Sequence, residues 1–141
     1  MSLNNYANFQ VSLKLIIKWD NKILTLKTHD GFIDFPGGRI DESEVEIPML
    51  EVLKREIAEE LGNDIKFDIG KIAFVTKRKY TFKQNFKVLA IYYEADYISG
   101  DYVLSDEHSV AKWMEPEEIL SKDHKFISKD EYDQLKTYLK A

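Results

Sequence analysis

Apolar and polar residues follow two different periods along this chain, and each change of period marks the boundary of a predicted element. Strict alternation favours strands, whereas apolar residues three and four apart favour helices. The predicted strands lie at Phe9–Trp19, Lys22–Lys27, Phe32–Phe35, Ile69–Tyr80, Phe86–Tyr97 and Val110–Met114. The predicted helices lie at Pro48–Gly62, Glu117–Ser121 and Lys129–Leu139. This mixed order predicts an α/β (α+β) fold in which a sheet is sandwiched between helices.

Turn and cap residues support these boundaries. Asp20 and Asn21 form a turn between the first two strands, which predicts a hairpin. Pro48 is favoured in the first turn of a helix, and Gly62 is typical of a helix end. The longest helix of the chain is therefore expected to begin near Pro48 and to end at Gly62.

Length and composition predict one domain that spans residues 1–141. With 141 residues and 44% hydrophobic content, the chain can bury a core without disulfides or structural metals. The sequence has no cysteine, which excludes disulfides, thiol catalysis and cysteine-ligated zinc. The apolar stretch at 13–17 is too short to span a membrane, and residues 1–10 lack the pattern of a secretion signal. We therefore expect a cytoplasmic protein.

The net charge of −5 limits the classes of partner. An acidic protein repels polyanions, so broad binding to nucleic acid or to anionic lipid is not expected. A polyanionic substrate would need a local concentration of cations. A small-molecule ligand is therefore the expected partner.

Three glutamates of the long predicted helix fall on one side of it. Glu56, Glu59 and Glu60 lie within an arc of about 100°, because residues three and four apart are neighbours on a helix. The adjoining apolar stripe consists of Leu50, Leu53, Ile57 and Leu61. Arg55 precedes Glu59 by four residues and is placed to orient it, but one arginine cannot neutralise three acids. A hard divalent cation could do so, and the alternative is a solvated acidic face.

The sequence around these acids resembles the signature of the Nudix hydrolases. The matching residues are Gly38, Glu44, Arg55, Glu56, Ile57, Glu59, Glu60 and Gly62. Residues 45–54 separate Glu44 from Arg55, three more than is usual in the family, so we expect a longer loop before the helix. Asn63 replaces the final aliphatic residue of the signature, and Ile65 is available to fill its place.

This resemblance implies a fold and a metal site. The implied fold is a Nudix-like α/β/α sandwich with a mixed β-sheet between helices. The implied cofactor is Mg²⁺, for which Mn²⁺ could substitute, and the implied ligands are the carbonyl group of Gly37 with Glu56, Glu59 and Glu60. Arg55 belongs to the same catalytic set. His29, His108 and His124 have no spacing typical of a transition-metal site, and none is assigned as a ligand.

The general base has two candidate sources. Related enzymes take it either from the signature helix or from a separate loop, where Glu107 is the candidate in this chain. The alternative is that Glu107 is a solvated acid, as most acidic loop residues are.

The candidate substrate-binding residues are Gly38, Arg39, Phe35, Arg78 and Tyr80. Residues 77–83 mix cations with aromatics, a combination that could hold phosphate and stack a base. An exposed β-ribbon with protective lysines is the alternative. Phe32, Phe35 and Phe86 could line a cleft or fill the core, and aromatic residues more often do the latter.

The resulting expectation is Mg²⁺-dependent hydrolysis of a phosphoanhydride bond. The substrate would be a nucleoside diphosphate linked to another group: a nucleoside triphosphate, a sugar nucleotide such as ADP-ribose, or a dinucleoside polyphosphate. A noncatalytic nucleotide-sensing module and a pyrophosphohydrolase for RNA 5′ ends are the alternatives. Paired chains in the family also leave a homodimer open.

Overall fold

The structure is a computed structural model, and it describes residues 5–79, 86–106, 108–122 and 124–140. The helices, apart from a short 3₁₀ helix at Glu42–Glu44, are α1 (Met49–Leu61), α2 (Pro116–Ile119) and α3 (Lys129–Lys140). The strands are β1 (Phe9–Trp19), β2 (Lys22–Thr28), β3 (Phe32–Asp34), β4 (Gly37–Arg39), β5 (Lys66–Lys79), β6 (Lys87–Ser99), β7 (His108–Met114) and β8 (Lys125–Phe126).

These strands form one mixed sheet. Its main order is β5-β6-β1-β2-β3-β8, with β4 paired to β1 and β7 paired to β2. β1 runs parallel to β6 and antiparallel to β2 and β4. Along its second edge β1 changes partner, since β2 pairs with Lys18 and Trp19 while β4 pairs with residues 12–14. Because β4 takes the place of β2 along this part of β1, Gly37 and Gly38 of β4 lie beside α1.

Helices cover both faces of the sheet. Successive side chains of β1 point to opposite faces, so Leu15 and Ile16 belong to different cores. The first core receives Val52, Leu53, Ile57 and Leu61 from α1. The second core receives Ile119 from α2 and Leu135 from α3. The predicted α/β/α sandwich with a mixed sheet is therefore confirmed.

Most predicted elements are confirmed, with shifts at their ends. β5 begins at Lys66 and not at Ile69, and the short strands β4 and β8 and the 3₁₀ helix were not predicted. The segment at Gln84 and Asn85, predicted to join the two long strands, lies outside the described residues. Among the residues that are described, no helix is long and apolar enough to cross a membrane.

One residue of the predicted apolar stripe is placed wrongly. Leu53, Ile57 and Leu61 are buried as expected, but Leu50 is 41% exposed. Leu50 lies in the first turn of α1, where Val52, on another side of the helix, is the buried residue. Helical periodicity defines the direction of a side chain, but it does not define where along the helix the sheet begins to cover it.

Candidate active site

A cleft with a volume of about 1240 Å³ is lined by residues of α1 and of the strands β1, β3, β4 and β5. Typical small-molecule sites measure roughly 300–1,000 Å³, so this cleft has room for a nucleotide. Its acidic wall consists of Glu44, Glu56, Glu59 and Glu60. Its floor consists of Lys14, Asp34 and Arg78, which come from three different strands. The cleft thus places a cluster of carboxylates close to cationic side chains.

The glycine pair lets the β4 backbone approach the acidic wall. The amide of Gly37 donates a hydrogen bond to Oε1 of Glu60, with a nitrogen–oxygen distance of 2.9 Å. At Gly38, an added Cβ atom would lie 2.1 Å from Oε2 of Glu56, so a side chain there would displace that carboxylate. The need for glycine at Gly38 therefore follows from contact with α1.

Arg55 holds three of the carboxylates. Its Nε and Nη2 atoms donate to the two oxygens of Glu44, at 2.6 and 2.5 Å. Its Nη1 lies 3.0 Å from Oε1 of Glu59, and its Nη2 lies 2.8 Å from Oε1 of Glu56. The bidentate pairing uses the planar fork of the guanidinium group, which lysine lacks. The arrangement includes the contact with Glu59 that the helix spacing predicted.

The longer loop before α1 does not remove Glu44 from this arrangement. Residues 42–44 form the 3₁₀ helix, and Asp41 caps it by accepting a hydrogen bond from the Ser43 amide at 3.0 Å. Oε1 of Glu44 also accepts a hydrogen bond from the Asp41 amide at 3.0 Å. This reciprocal capping box fixes Glu44 towards Arg55. The extra residues of the loop therefore lie between the 3₁₀ helix and α1.

The pKa values of two of the acids are shifted in opposite directions. Hydrogen bonds from Arg55 lower the pKa of Glu44, so Glu44 stays ionised and bound to the arginine. Burial raises the pKa of Glu56 despite its contact with Arg55. Burial therefore disfavours the charged form of Glu56, and an additional cation nearby would stabilise it.

The acidic wall has the chemistry of a hard-cation site. Its oxygens suit Mg²⁺, which is usually held by one or two carboxylates together with substrate phosphates. Glu56 and Glu60 are mostly buried, whereas the side chain of Glu59 is 62% exposed. Across the described part of the chain, no three acidic, histidine or cysteine groups are already arranged around one ion. Arg55 and the Gly37 amide hold the carboxylates in this state.

The other predicted residues have different fates. Gly38, Arg39 and Arg78 line the cleft, and Arg39 also lies 4.6 Å from the ring centroid of Phe86. Phe35 was wrongly placed in the cleft, because it is completely buried in the second core. Glu107 and Tyr80, with residues 81–83 of the cationic segment, lie outside the described residues.

Two of the three residues of the cleft floor, Lys14 and Asp34, were not among the predicted site residues. Nζ of Lys14 lies 3.1 Å from Oδ1 of Asp34 and donates to the carbonyl oxygen of Phe35 at 3.2 Å. Burial opposes the charge of Lys14, but Asp34 and Glu60 outweigh that effect and raise its pKa. The available signal was a lysine in the middle of an otherwise buried strand. A charge in that position requires a partner, which points to a polar site.

Replacement of Gly38 by alanine is expected to lower kcat roughly 10- to 100-fold, the scale for disturbing the support of a functional group. The added methyl group would displace the Glu56 carboxylate, which can move because it is the end of a flexible side chain. The free energy of unfolding should therefore change little. Steady-state kinetics and chemical denaturation of Gly38→Ala test both parts, and unchanged kcat would contradict the proposed role of Glu56.

A model of the NUDIX domain matches residues 13–135 of the chain. The fold is also similar to that of a MutT protein from Methanosarcina mazei Go1, with 24% identity, 96% of each chain covered and a TM-score of 0.77. The E. coli ORF135 protein is 22% identical over 95% of this chain and 91% of its own, with a TM-score of 0.74.

An ADP-ribose pyrophosphatase from Streptococcus suis is 18% identical over 94% of this chain and 91% of its own, with a TM-score of 0.68. No curated protein matches the chain. The domain match covers most of the sequence, including the acidic wall and both glycines. The chain therefore belongs to the Nudix family of hydrolases.

Proposed function

We propose that this protein hydrolyses a phosphoanhydride bond in a nucleoside diphosphate linked to another group, with Mg²⁺ as cofactor. We further propose that residues 1–141 act as one hydrolase domain. The observation that carries the proposal is the acidic side of α1, where Glu56 and Glu60 lie against Gly38 and Gly37 in a cleft of nucleotide size. A MutT protein and an ADP-ribose pyrophosphatase among the similar structures support this class of substrate.

The proposed metal ligands are Glu56, Glu59, Glu60 and the carbonyl group of Gly37. When bound there, Mg²⁺ would neutralise phosphate oxygens and lower the pKa of a coordinated water molecule. Arg55 orients Glu56 and Glu59 through the contacts at 2.8 and 3.0 Å. Glu44 in turn fixes Arg55 through two hydrogen bonds.

Attack by water also requires a group that accepts a proton. Among the three signature acids of α1, Glu59 is the most exposed and the most accessible to water. If α1 supplies the base, Glu59 therefore accepts the proton, and Glu56, Glu60 and the carbonyl group of Gly37 hold the metal. Glu107 is the alternative base. A Glu107→Gln variant separates the two: a strongly reduced kcat with unchanged metal affinity assigns the base to Glu107, whereas a wild-type rate returns it to α1.

The cleft floor would receive the anionic or polar part of the substrate. Lys14 and Arg78 bring two positive charges, and Asp34 holds Lys14 in place. Phe32 lines the same cleft and offers an aromatic surface for a base. These groups are suited to a nucleotide, and they leave the choice among the three substrate groups open.

A panel of substrates tests the proposal directly. We expect one class among nucleoside triphosphates, sugar nucleotides and dinucleoside polyphosphates to be hydrolysed with Mg²⁺ and not with EDTA, as measured by chromatography of the nucleotide products. Tight binding of one compound without hydrolysis of any would contradict the proposal and favour the sensing module.

A further inference from the structure

A fully buried carboxylate lies behind the cleft floor. Glu131, in the first turn of α3, is 0% exposed. Its Oε2 accepts a hydrogen bond from the hydroxyl group of Tyr92 and lies 3.9 Å from Nη1 of Arg78. Among the described residues, its Oε1 is buried and has no hydrogen-bond partner. An acid in such surroundings is costly to keep charged.

The position of Glu131 is fixed by its own helix and by β5. The amide of Glu131 donates to Oγ of Ser128 at 3.1 Å, which is a cap of α3. The neighbouring Asp130 accepts a hydrogen bond from the amide of Lys77 at 2.9 Å. Because Lys77 precedes Arg78 in β5, this contact holds the start of α3 beside Arg78.

Charged and titratable groups face Glu131 from four strands. They are Lys14 from β1, Asp34 from β3, Arg78 from β5 and Tyr92 from β6. Burial, followed by the negative charge of Asp34, raises the pKa of Glu131 to about 7, although Tyr92, Arg78 and Lys14 oppose this rise. Burial also raises the pKa of Tyr92, which therefore remains a hydrogen-bond donor.

We propose that Glu131 is a positioning residue that holds Arg78 in the cleft floor, and that binding of an anion against Arg78 and Lys14 is accompanied by proton uptake at Glu131. The inference rests on the proposed function, because it takes the cleft as the site of an anionic substrate. The bound anion adds negative charge close to the carboxylate, and it competes with Glu131 for the guanidinium group of Arg78. Both effects favour the protonated acid.

Near neutral pH this coupling has a measurable size. If the anion raises the pKa of Glu131 by one unit from about 7, the protonated fraction of Glu131 at pH 7 rises by roughly 0.4. Substrate affinity should therefore fall as the pH rises through this range. A residue that only stabilised the fold would not exchange a proton on ligand binding.

The first experiment needs no ligand. The NMR signal of the Arg78 Nε–H group, assigned with Arg78→Lys, should show a titration step near pH 7 in the wild-type protein. The step should be absent in Glu131→Gln and unchanged in Asp133→Asn, a matched control on the exposed side of α3. In Tyr92→Phe the step should move to higher pH, because the hydrogen bond from Tyr92 lowers the pKa of Glu131 and is absent in this variant.

The second experiment uses ADP-ribose in EDTA as the probe, since its diphosphate has no group that titrates near neutral pH. Calorimetry in buffers of different ionisation enthalpy measures the protons taken up on binding. We expect uptake at pH 7 in the wild type and in Asp133→Asn, and none in Glu131→Gln. Equal uptake with and without Glu131, or failure of ADP-ribose to bind any of these proteins, would overturn the proposal.

The two proposals can fail separately. Absence of a titration step that depends on Glu131 overturns this inference even if the enzyme hydrolyses its substrate normally. A normal step and normal proton uptake, without hydrolysis of any member of the substrate panel, would instead overturn the proposed function.

Discussion

Replacement of Glu60 by glutamine is expected to lower kcat roughly 100- to 1000-fold, the scale for removing one strong electrostatic contact at a reacting centre. The carboxylate of Glu60 is buried and lines the cleft beside the Gly37 amide. Glutamine keeps an oxygen that can accept the hydrogen bond of Gly37, but it loses the charge that a divalent cation requires. The variant therefore separates the fold from the chemistry.

The free energy of unfolding of Glu60→Gln should stay within about 1 kcal/mol of the wild-type value, because the hydrogen bond is retained. Glu51→Gln is a matched control, since Glu51 lies exposed on the same helix and outside the cleft. Kinetics with the preferred substrate and urea denaturation of both variants give the comparison. If Glu60→Gln and Glu51→Gln had the same kcat, Glu60 would have no part in the reaction.

The placement of the three acids of α1 could be predicted from the sequence because it depends on one helix. The spacing of Glu56, Glu59 and Glu60 determines their common side, whatever the rest of the fold does. The contact between Arg55 and Glu59 follows from the same period. The pairing of Arg55 with Glu44 does not, since it depends on how the longer loop folds back.

The cleft floor could not be predicted in the same way. Its residues lie in three different strands: Lys14 in β1, Asp34 in β3 and Arg78 in β5. The order of the strands in the sheet determines which residues meet, and local periodicity does not reveal that order. The alternation of β1 shows which side Lys14 faces, but not that Asp34 faces it from β3. Phe35 illustrates the opposite error, because it was a candidate substrate-binding residue, while its side chain lies in the second core, as aromatic side chains more often do.

The burial of Glu131 depends on contacts between residues that are still farther apart in the sequence. Glu131 belongs to a helix near the C-terminal end of the chain, and Tyr92 and Arg78 are 39 and 53 residues away in the sequence (131 − 92 and 131 − 78). In a helix with a polar first turn, a glutamate is usually solvated. Only the packing of α3 against β5 shows that this one is buried.

The two adjacent glycines should respond differently to the same substitution. For Gly37→Ala we expect the free energy of unfolding to fall by roughly 3 kcal/mol, the sum of strain at positive φ and of overpacking. Gly37 has a φ of +140°, and its added Cβ atom would lie 2.0 Å from the carbonyl oxygen of Leu13. That oxygen belongs to β1 and cannot rotate away. At Gly38, by contrast, the obstructing group is the mobile end of Glu56.

Gly70→Ala provides the control for this prediction. Gly70 also lies in a strand, but its backbone is not at positive φ, and its added Cβ atom would meet Glu94 at 3.5 Å, an ordinary contact. Its free energy of unfolding should therefore stay within about 1 kcal/mol of the wild-type value. Urea denaturation of the three alanine variants should rank Gly37→Ala far below the other two. Equal stability of all three would mean that β4 can move away from β1, and the close approach of β4 to β1 could then no longer explain the glycine at this position.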